Sequence, residues 1–224
     1  MIPSFQNERL LLQAFTHRSY LNENPSTGSG QVQEHNERLE FLGDAVLELI
    51  VTKYLFDRFP QKPEGELTSF RAAMVNTQTL SMLANELGIN DQLRLSKGEA
   101  KDTGRARQYI LANTLEAIVG ALYLDQGYGA AEEFVSWILF PKADALLAER
   151  IERDAKSYFQ ERAQERAGLT PRYGVLSEVG PDHKKEFIVG VWVGDEQVAS
   201  GGGFSKQEAE QEAARAALKK PKWS

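Results

Sequence analysis

Apolar residues recur at the three-and-four spacing of a helix from the N-terminus to about residue 150, whereas from Glu186 to Val193 they occupy every second position. A period of 3.6 buries one face of a helix and a period of two buries one face of a strand, so the chain divides into an all-helical part and a part that contains a sheet. The division predicts a mainly α protein of two domains, residues 1–150 and 153–222. In the first, helices are expected near 6–16, 36–58, 64–73, 76–87, 107–125, 130–138 and 141–151, with polar loops at Glu23 to Gln33 and Leu95 to Arg107. The earlier loop is Gly- and Ser-rich and is expected to be mobile. In the second, a helix from Asp154 to Ala167 stops at Gly168, and strands follow at Tyr173 to Val179, Glu186 to Val193 and Gln197 to Gly201. Ser205 and Glu208 form a capping box that opens a last helix to about Lys220. The order is α-β-β-β-α, two helices on one side of an antiparallel sheet.

Composition narrows the chemistry. No cysteine is present, which removes disulfides, thiolate nucleophiles and Cys-based zinc sites and fits a reducing compartment. No apolar run approaches the roughly 18 residues of a membrane helix, and the Met1 to Gln6 start lacks the basic and apolar regions of a signal peptide. A soluble, cytoplasmic chain with no membrane partner is therefore expected. Gly201-Gly202-Gly203 precedes a helix without the Gly-Lys-Ser/Thr ending of a phosphate loop, so no nucleotide cofactor is expected. The net charge is −6, with 14 Lys and Arg against 20 Asp and Glu in residues 1–150 and 12 of each afterwards. The whole acid excess lies in the first domain, and the neutral second domain is able to present a basic face.

That excess has a pattern. Between His35 and Glu48, at roughly 100° per residue, Glu37, Glu40, Asp44 and Glu48 fall within an arc of roughly 80°. Leu39, Leu42, Val46, Leu49 and Ile50 take the other side. The plain reading of such a stripe is a solvated face, but like charges one turn apart destabilise a helix and favour a compensating cation. Phe41 shares the acidic side, where an exposed aromatic suggests a protein contact. On a second helix Asn113 and Glu116 stand three apart with Gly120 on the same face, which lets another helix come close. Facing helices that each offer oxygen ligands suit a hard cation, Mg²⁺ or Mn²⁺.

The run Asn36-Glu37-Arg38-Leu39-Glu40-Phe41-Leu42-Gly43-Asp44 resembles the signature of the ribonuclease III family. The resemblance continues through Thr16-His17-Arg18-Ser19, Pro63-Glu64-Gly65-Glu66-Leu67 and Leu111-Ala112-Asn113-Thr114-Leu115-Glu116-Ala117, and the C-terminal part looks like a double-stranded RNA-binding domain. It implies an all-helical endonuclease domain that also dimerises, followed by the α-β-β-β-α RNA-binding domain. The implied activity is metal-assisted hydrolysis of double-stranded RNA to 5′-phosphate and 3′-hydroxyl ends, in processing and decay of ribosomal precursor and messenger RNA. By resemblance Glu40, Asp44, Asn113 and Glu116 surround Mg²⁺, with Mn²⁺ a substitute. Asp44, Glu116, Glu37 and Glu64 serve catalysis, the last two as auxiliary acids, and Phe41 enters a pocket of a second identical subunit. His17 and His35 are assigned structural roles.

Two positions depart from the family pattern. Asn113 stands where Asp is usual, which removes one charge from the site and predicts weaker metal binding. Lys206-Gln207 stands where two basic residues are common, which predicts weaker duplex binding with a shallower salt slope. For RNA contact, Gln160, Glu161 and Gln164 on the first helix of the domain suit 2′-hydroxyls and base edges, and His183 is placed by resemblance in a second minor groove. Ser205 and Lys206 open the last helix, whose positive end favours phosphate. The runner-up is a cleavage-deficient double-stranded RNA-binding protein that has lost activity through Asn113. Five acids retained at the matched positions argue against it.

Overall fold

The computed structural model describes residues 2–24, 34–181 and 185–223, and the side chains of residues 150–153 lie outside the description. Most of the loop expected at Glu23 to Gln33, and His183 with its two neighbours, fall outside the described residues. The chain forms two compact units, Met1–Leu146 and Leu147–Ser224. Among the described residues no helix is long and apolar enough to cross a membrane.

The first unit is helical throughout: α1 (Glu8–Ala14), α2 (Arg18–Glu23), α3 (Glu37–Arg58), α4 (Glu64–Met74), α5 (Thr77–Glu86), α6 (Arg105–Gln126), α7 (Tyr128–Leu139) and the start of α8 (Ala143–Arg153). Among the described residues three of these helices start on a side-chain cap. The side chains of Asn7 and Asn76 accept backbone N–H bonds at the starts of α1 and α5. The helix expected over 6–16 is α1, and α2 is a further short helix that the periodicity does not predict. The break between the two is made by His17, whose imidazole accepts from the Ser19 N–H and caps α2. It is fixed from afar by a bridge between Thr16 and Arg94, with the Arg94 guanidinium 4.2 Å over the Tyr20 ring.

Helices α3 and α6 are the centre of this unit. Leu39, Val46 and Ile50 of α3 are buried as the helical period predicts, but Leu49 is 56% exposed and Leu42 only half-buried, and Leu47 and Val51 are buried in the core instead, which α6 shares with Leu111, Leu115 and Ile118. Their backbones nearly touch at two glycines. A Cβ on Gly43 would lie 1.7 Å from the Glu116 carbonyl oxygen, and one on Gly120 would lie 2.2 Å from the Leu39 carbonyl oxygen. Gly43 thus meets Glu116 and Gly120, while Leu39 meets Gly120, so the helices cross antiparallel and the two acid-bearing faces share one edge of the crossing.

In the second unit α9 (Ala155–Ala167) and α10 (Lys206–Leu218) cover one face of a sheet of β1 (Arg172–Val179), β2 (Glu186–Val193) and β3 (Glu196–Gly203). The strands pair antiparallel in the order β1-β2-β3. Phe187, Val189, Val191 and Val193 point into the core as their alternation requires. Phe159, Val198, Ala213, Ala214 and Ala217 complete it. Trp223, beyond the expected end of the last helix, is 1% exposed and sits edge-on to Phe159 at 5.6 Å between ring centres.

Candidate active site and RNA-binding face

The α3–α6 crossing fixes where the acids meet. Leu39, Gly43, Val46 and Leu47 anchor α3 in the core, leaving Glu40 and Glu48 half-buried and Glu37 and Asp44 exposed. On α6 Thr114, Leu115 and Ala117 are buried, and Asn113 and Glu116 are half-buried on the side toward α3. Burial pushes the Glu116 carboxyl up to about 8, helped by the negative fields of Asp44, Glu40 and Glu48 in that order. Burial also raises the Glu40 carboxyl, with Glu37 and Asp44 adding to it, while a hydrogen bond from the Asn113 amide works in the opposite direction. The amide of Asn113 therefore donates to Glu40, stabilising a charge that an aspartate in its place would repel.

The predicted residues are not all equivalent. Across the two helices Glu116 feels Asp44 and Glu40, and Asn113 bonds to Glu40. Glu37 lies at the edge, 3.5 Å from the Arg18 guanidinium and 3.8 Å from His35 Nδ1. Glu64 belongs to the first turn of α4, where its carboxylate accepts from the Thr68 hydroxyl at 2.8 Å, and it is absent from the charges that act on Glu40 and Glu116. Glu48 enters instead. Its signal in the sequence was its place one turn after Asp44 on the stripe. The histidines act on the backbone: His17 caps α2, and His35 Nδ1 accepts from the Glu37 N–H at 3.4 Å. Burial lowers the His17 pKa, with Glu99 the main opposing charge, which keeps the ring neutral and able to accept the Ser19 N–H.

The donors at the crossing are carboxylate and amide oxygens, and the carboxylates raise one another's pKa, so the set fits a divalent ion such as Mg²⁺ in chemistry and charge. Among the described residues no three Asp, Glu or His side chains already converge as a ligand set.

On the second unit Gln160 and Gln164 are exposed on α9, while Glu161 is half-buried. Gln164 Oε1 accepts from the Thr170 hydroxyl at 3.1 Å. At the start of α10 the Ser205 hydroxyl accepts from the Glu208 N–H at 3.1 Å and Glu208 accepts from the Phe204 N–H at 2.8 Å, the reciprocal capping box read from the sequence. Lys206 is exposed, its ammonium 5.7 Å from the centre of the Phe187 ring.

A helix pair lined with carboxylates is joined in one chain to an α-β-β-β-α module. Comparison with known proteins assigns both. Residues 7–143 match the family described as Ribonuclease-III-like, and residues 155–220 match the double-stranded RNA binding motif. The chain is 47% identical to Ribonuclease 3 of Geobacillus kaustophilus, over 96% of this chain and 85% of that one. It is 47% identical to Ribonuclease 3 of Bdellovibrio bacteriovorus, over 96% and 90%. A solved nuclease domain of ribonuclease III from Campylobacter jejuni, described as flexible in a region involved in its dimer formation, is 37% identical. That likeness covers 66% of this chain and 90% of the other, with a TM-score of 0.50. The chain belongs to the ribonuclease III family. The reading as a cleavage-deficient RNA-binding protein is not favoured.

Proposed function

We propose that the protein is a homodimeric, divalent-cation-dependent endoribonuclease that hydrolyses double-stranded RNA to 5′-phosphate and 3′-hydroxyl ends during processing and decay of ribosomal precursor and messenger RNA in the cytoplasm. The observation that carries this reading is the Glu116 carboxyl, driven up to about 8 by burial and by three carboxylates of the facing helix. Carboxylates gathered so closely hold a proton among them until a divalent cation takes its place. Glu40, Asp44 and Glu116 would hold Mg²⁺, with Mn²⁺ a substitute and the Asn113 amide oxygen available as a neutral ligand. When bound, the ion supplies charge for the phosphoryl and leaving oxygens and a more acidic water for attack.

The chain's own groups do the rest. Asn113, through its amide hydrogen bond, offsets part of the burial that raises the Glu40 carboxyl. Arg18 holds the Glu37 carboxylate at the rim of the cluster, and His35 Nδ1 accepts from the Glu37 N–H. Glu64 acts as the outlying auxiliary acid. Gln160, Glu161, Gln164, His183, Ser205 and Lys206 grip the duplex by its shape, through 2′-hydroxyls and phosphates. The sequence has no cysteine, in keeping with a reducing cytoplasm.

The dimer is supported by Phe41, 81% exposed on α3. It adjoins a cavity of about 690 Å³ whose walls include Leu10, Leu39, Leu42 and Leu124. The leucine side of this cavity, whose other walls include Gln13, Glu34 and Arg38, places a socket beside the knob on the same surface, as a two-fold interface requires. Phe41→Asp is expected to shift the protein from dimer to monomer in light scattering at micromolar concentration. Persistence of the dimer would sever Phe41 from the interface.

The function is tested by incubating the full chain with a long perfect RNA duplex and with a single strand of the same sequence, in Mg²⁺ and in Mn²⁺. Short duplexes with 5′-phosphates from the first substrate alone are the expected result, and intact, tightly bound duplex in both metals would overturn it. Asn113→Asp restores a negative ligand, so the Mg²⁺ concentration for half-maximal cleavage should fall severalfold. An unchanged titration would remove Asn113 from the cation's surroundings.

A further inference from the structure

Tyr109 lies on α6 one turn before Asn113 and about two turns before Glu116. At roughly 100° per residue these three side chains fall within an arc of about 60°, with Tyr109 between the other two, so the phenol continues the face that carries the proposed site. Along the helix axis it stands ~10 Å from Glu116. Tyr109 is 51% exposed.

Among the described residues every tyrosine but Tyr109 and the less exposed Tyr123 has a side-chain partner. Tyr20 and Tyr158 each carry an arginine over the ring, and Tyr54 stacks on Phe140 while accepting from Arg58. Tyr109 has no hydrogen bond and no ring contact among the described residues. One turn earlier, Arg105 is likewise exposed and takes part in no ion pair among the described residues. Packing explains neither side chain.

A neutral phenol fits this position for an electrostatic reason. The crossing of α3 and α6 is strongly acidic and repels a phosphodiester backbone wherever no cation intervenes. A hydroxyl donor adds no further negative charge, and its ring offers an apolar surface to a ribose. Arg105, a turn further out, supplies the positive charge that draws the same strand along the helix.

We infer that Tyr109 is a substrate-positioning residue of the nuclease unit: its hydroxyl donates to a backbone oxygen, phosphate or 2′-hydroxyl, of the RNA strand that crosses the Asn113–Glu116 face, close to the scissile bond. The inference rests on the proposed cleavage of duplex RNA at these carboxylates and adds a contact that sets how the strand is seated there.

The test is steady-state cleavage of a short duplex with one cleavage position by the full-length protein and its Tyr109→Phe and Tyr109→Ala variants, with melting temperatures recorded in parallel. Loss of one neutral hydrogen bond corresponds to about a threefold to tenfold effect. Tyr109→Phe should raise KM by that amount with kcat within twofold. Tyr109→Ala should raise it further because the ring surface is lost as well. Melting temperatures should stay within a degree or two, as for other exposed positions. A duplex carrying single 2′-deoxy substitutions separates the two acceptors: if a 2′-hydroxyl is the partner, one substitution reproduces the Phe variant's KM, and if none does, phosphate is the partner. Unchanged KM in both variants overturns the inference, as does a fall in kcat alone or a loss that follows a lowered melting temperature. If the unsubstituted protein leaves duplex RNA intact, the function fails first, and that outcome is distinct from Tyr109 variants that match a working parent.

Discussion

Glu116→Gln is expected to abolish cleavage of duplex RNA in Mg²⁺ while leaving duplex binding by the second unit intact. Charge stabilisation by a bound ion is worth several kcal/mol at a phosphoryl centre, so losing its best-buried ligand corresponds to a rate loss on the order of 10³-fold or more. The same substitution has a second signature in protein held free of divalent ions. Glu116 titrates near 8 in the folded chain against an ordinary value of 4.5. Between those values the folded protein keeps a proton that the unfolded chain has released. Stability therefore declines as pH rises through that window and reaches its low plateau above about 8. Glutamine cannot titrate, so the variant should melt at about the parent's temperature near pH 5 and a few degrees higher near pH 8.5. Melting curves in a chelating buffer across that range check it, and parallel pH profiles for the two proteins would disprove it. By the same linkage Mg²⁺ must displace the proton, so its affinity should climb toward pH 8 and then level off.

Gly43→Ala should be the most damaging single methyl in the molecule. The added Cβ meets the Glu116 carbonyl oxygen at 1.7 Å, its carbonyl carbon at 2.6 Å and the Gly120 nitrogen at 2.9 Å. All three are backbone atoms that no rotamer change can remove, so the helices must part. Overpacking of this kind costs about 3 kcal/mol or more, a fall of roughly 6–12 °C in melting temperature for a chain of this size. Cleavage should fall further than instability explains, because parting the helices also draws Glu116 away from Asp44. The comparison is Gly65→Ala, whose Cβ meets nothing within 4 Å inside α4 and which should be neutral or slightly stabilising. Thermal melts of the two variants decide the matter, and equal melting temperatures would mean that the crossing tolerates separation.

What the sequence discloses and what it withholds divide along physical lines. The α3 stripe, the alternation of Phe187 to Val193 and the Ser205–Glu208 box are local patterns, and local patterns are readable because the residues that decide them lie within a few positions of one another. The short helix α2 lies outside every expected helix, and the bridge that fixes its start joins Thr16 to Arg94, nearly eighty residues away, which leaves no periodic trace. Glu64 and Glu48 show the same limit inside the site. The resemblance names Glu64 and passes over Glu48, yet it is Glu48 whose charge reaches Glu116, because the antiparallel crossing brings α3 alongside α6. The donation from Asn113 to Glu40 is likewise a property of two helices together. The glycines that permit the crossing were visible as residues, but their near contact is a fact of three dimensions.

Trp223 carries a practical consequence. The residues after Lys220 read as a short polar tail that a protease or a gene designer would trim without concern, yet they end in an indole that closes the interior of the second unit over Phe159. Clipping behind Lys220 therefore removes a keystone from the module and spares every side chain predicted to touch RNA. A preparation clipped there would keep its nuclease unit whole and lose its grip on the duplex, so that an RNA-binding defect would be mistaken for a catalytic one unless the mass of the protein were checked.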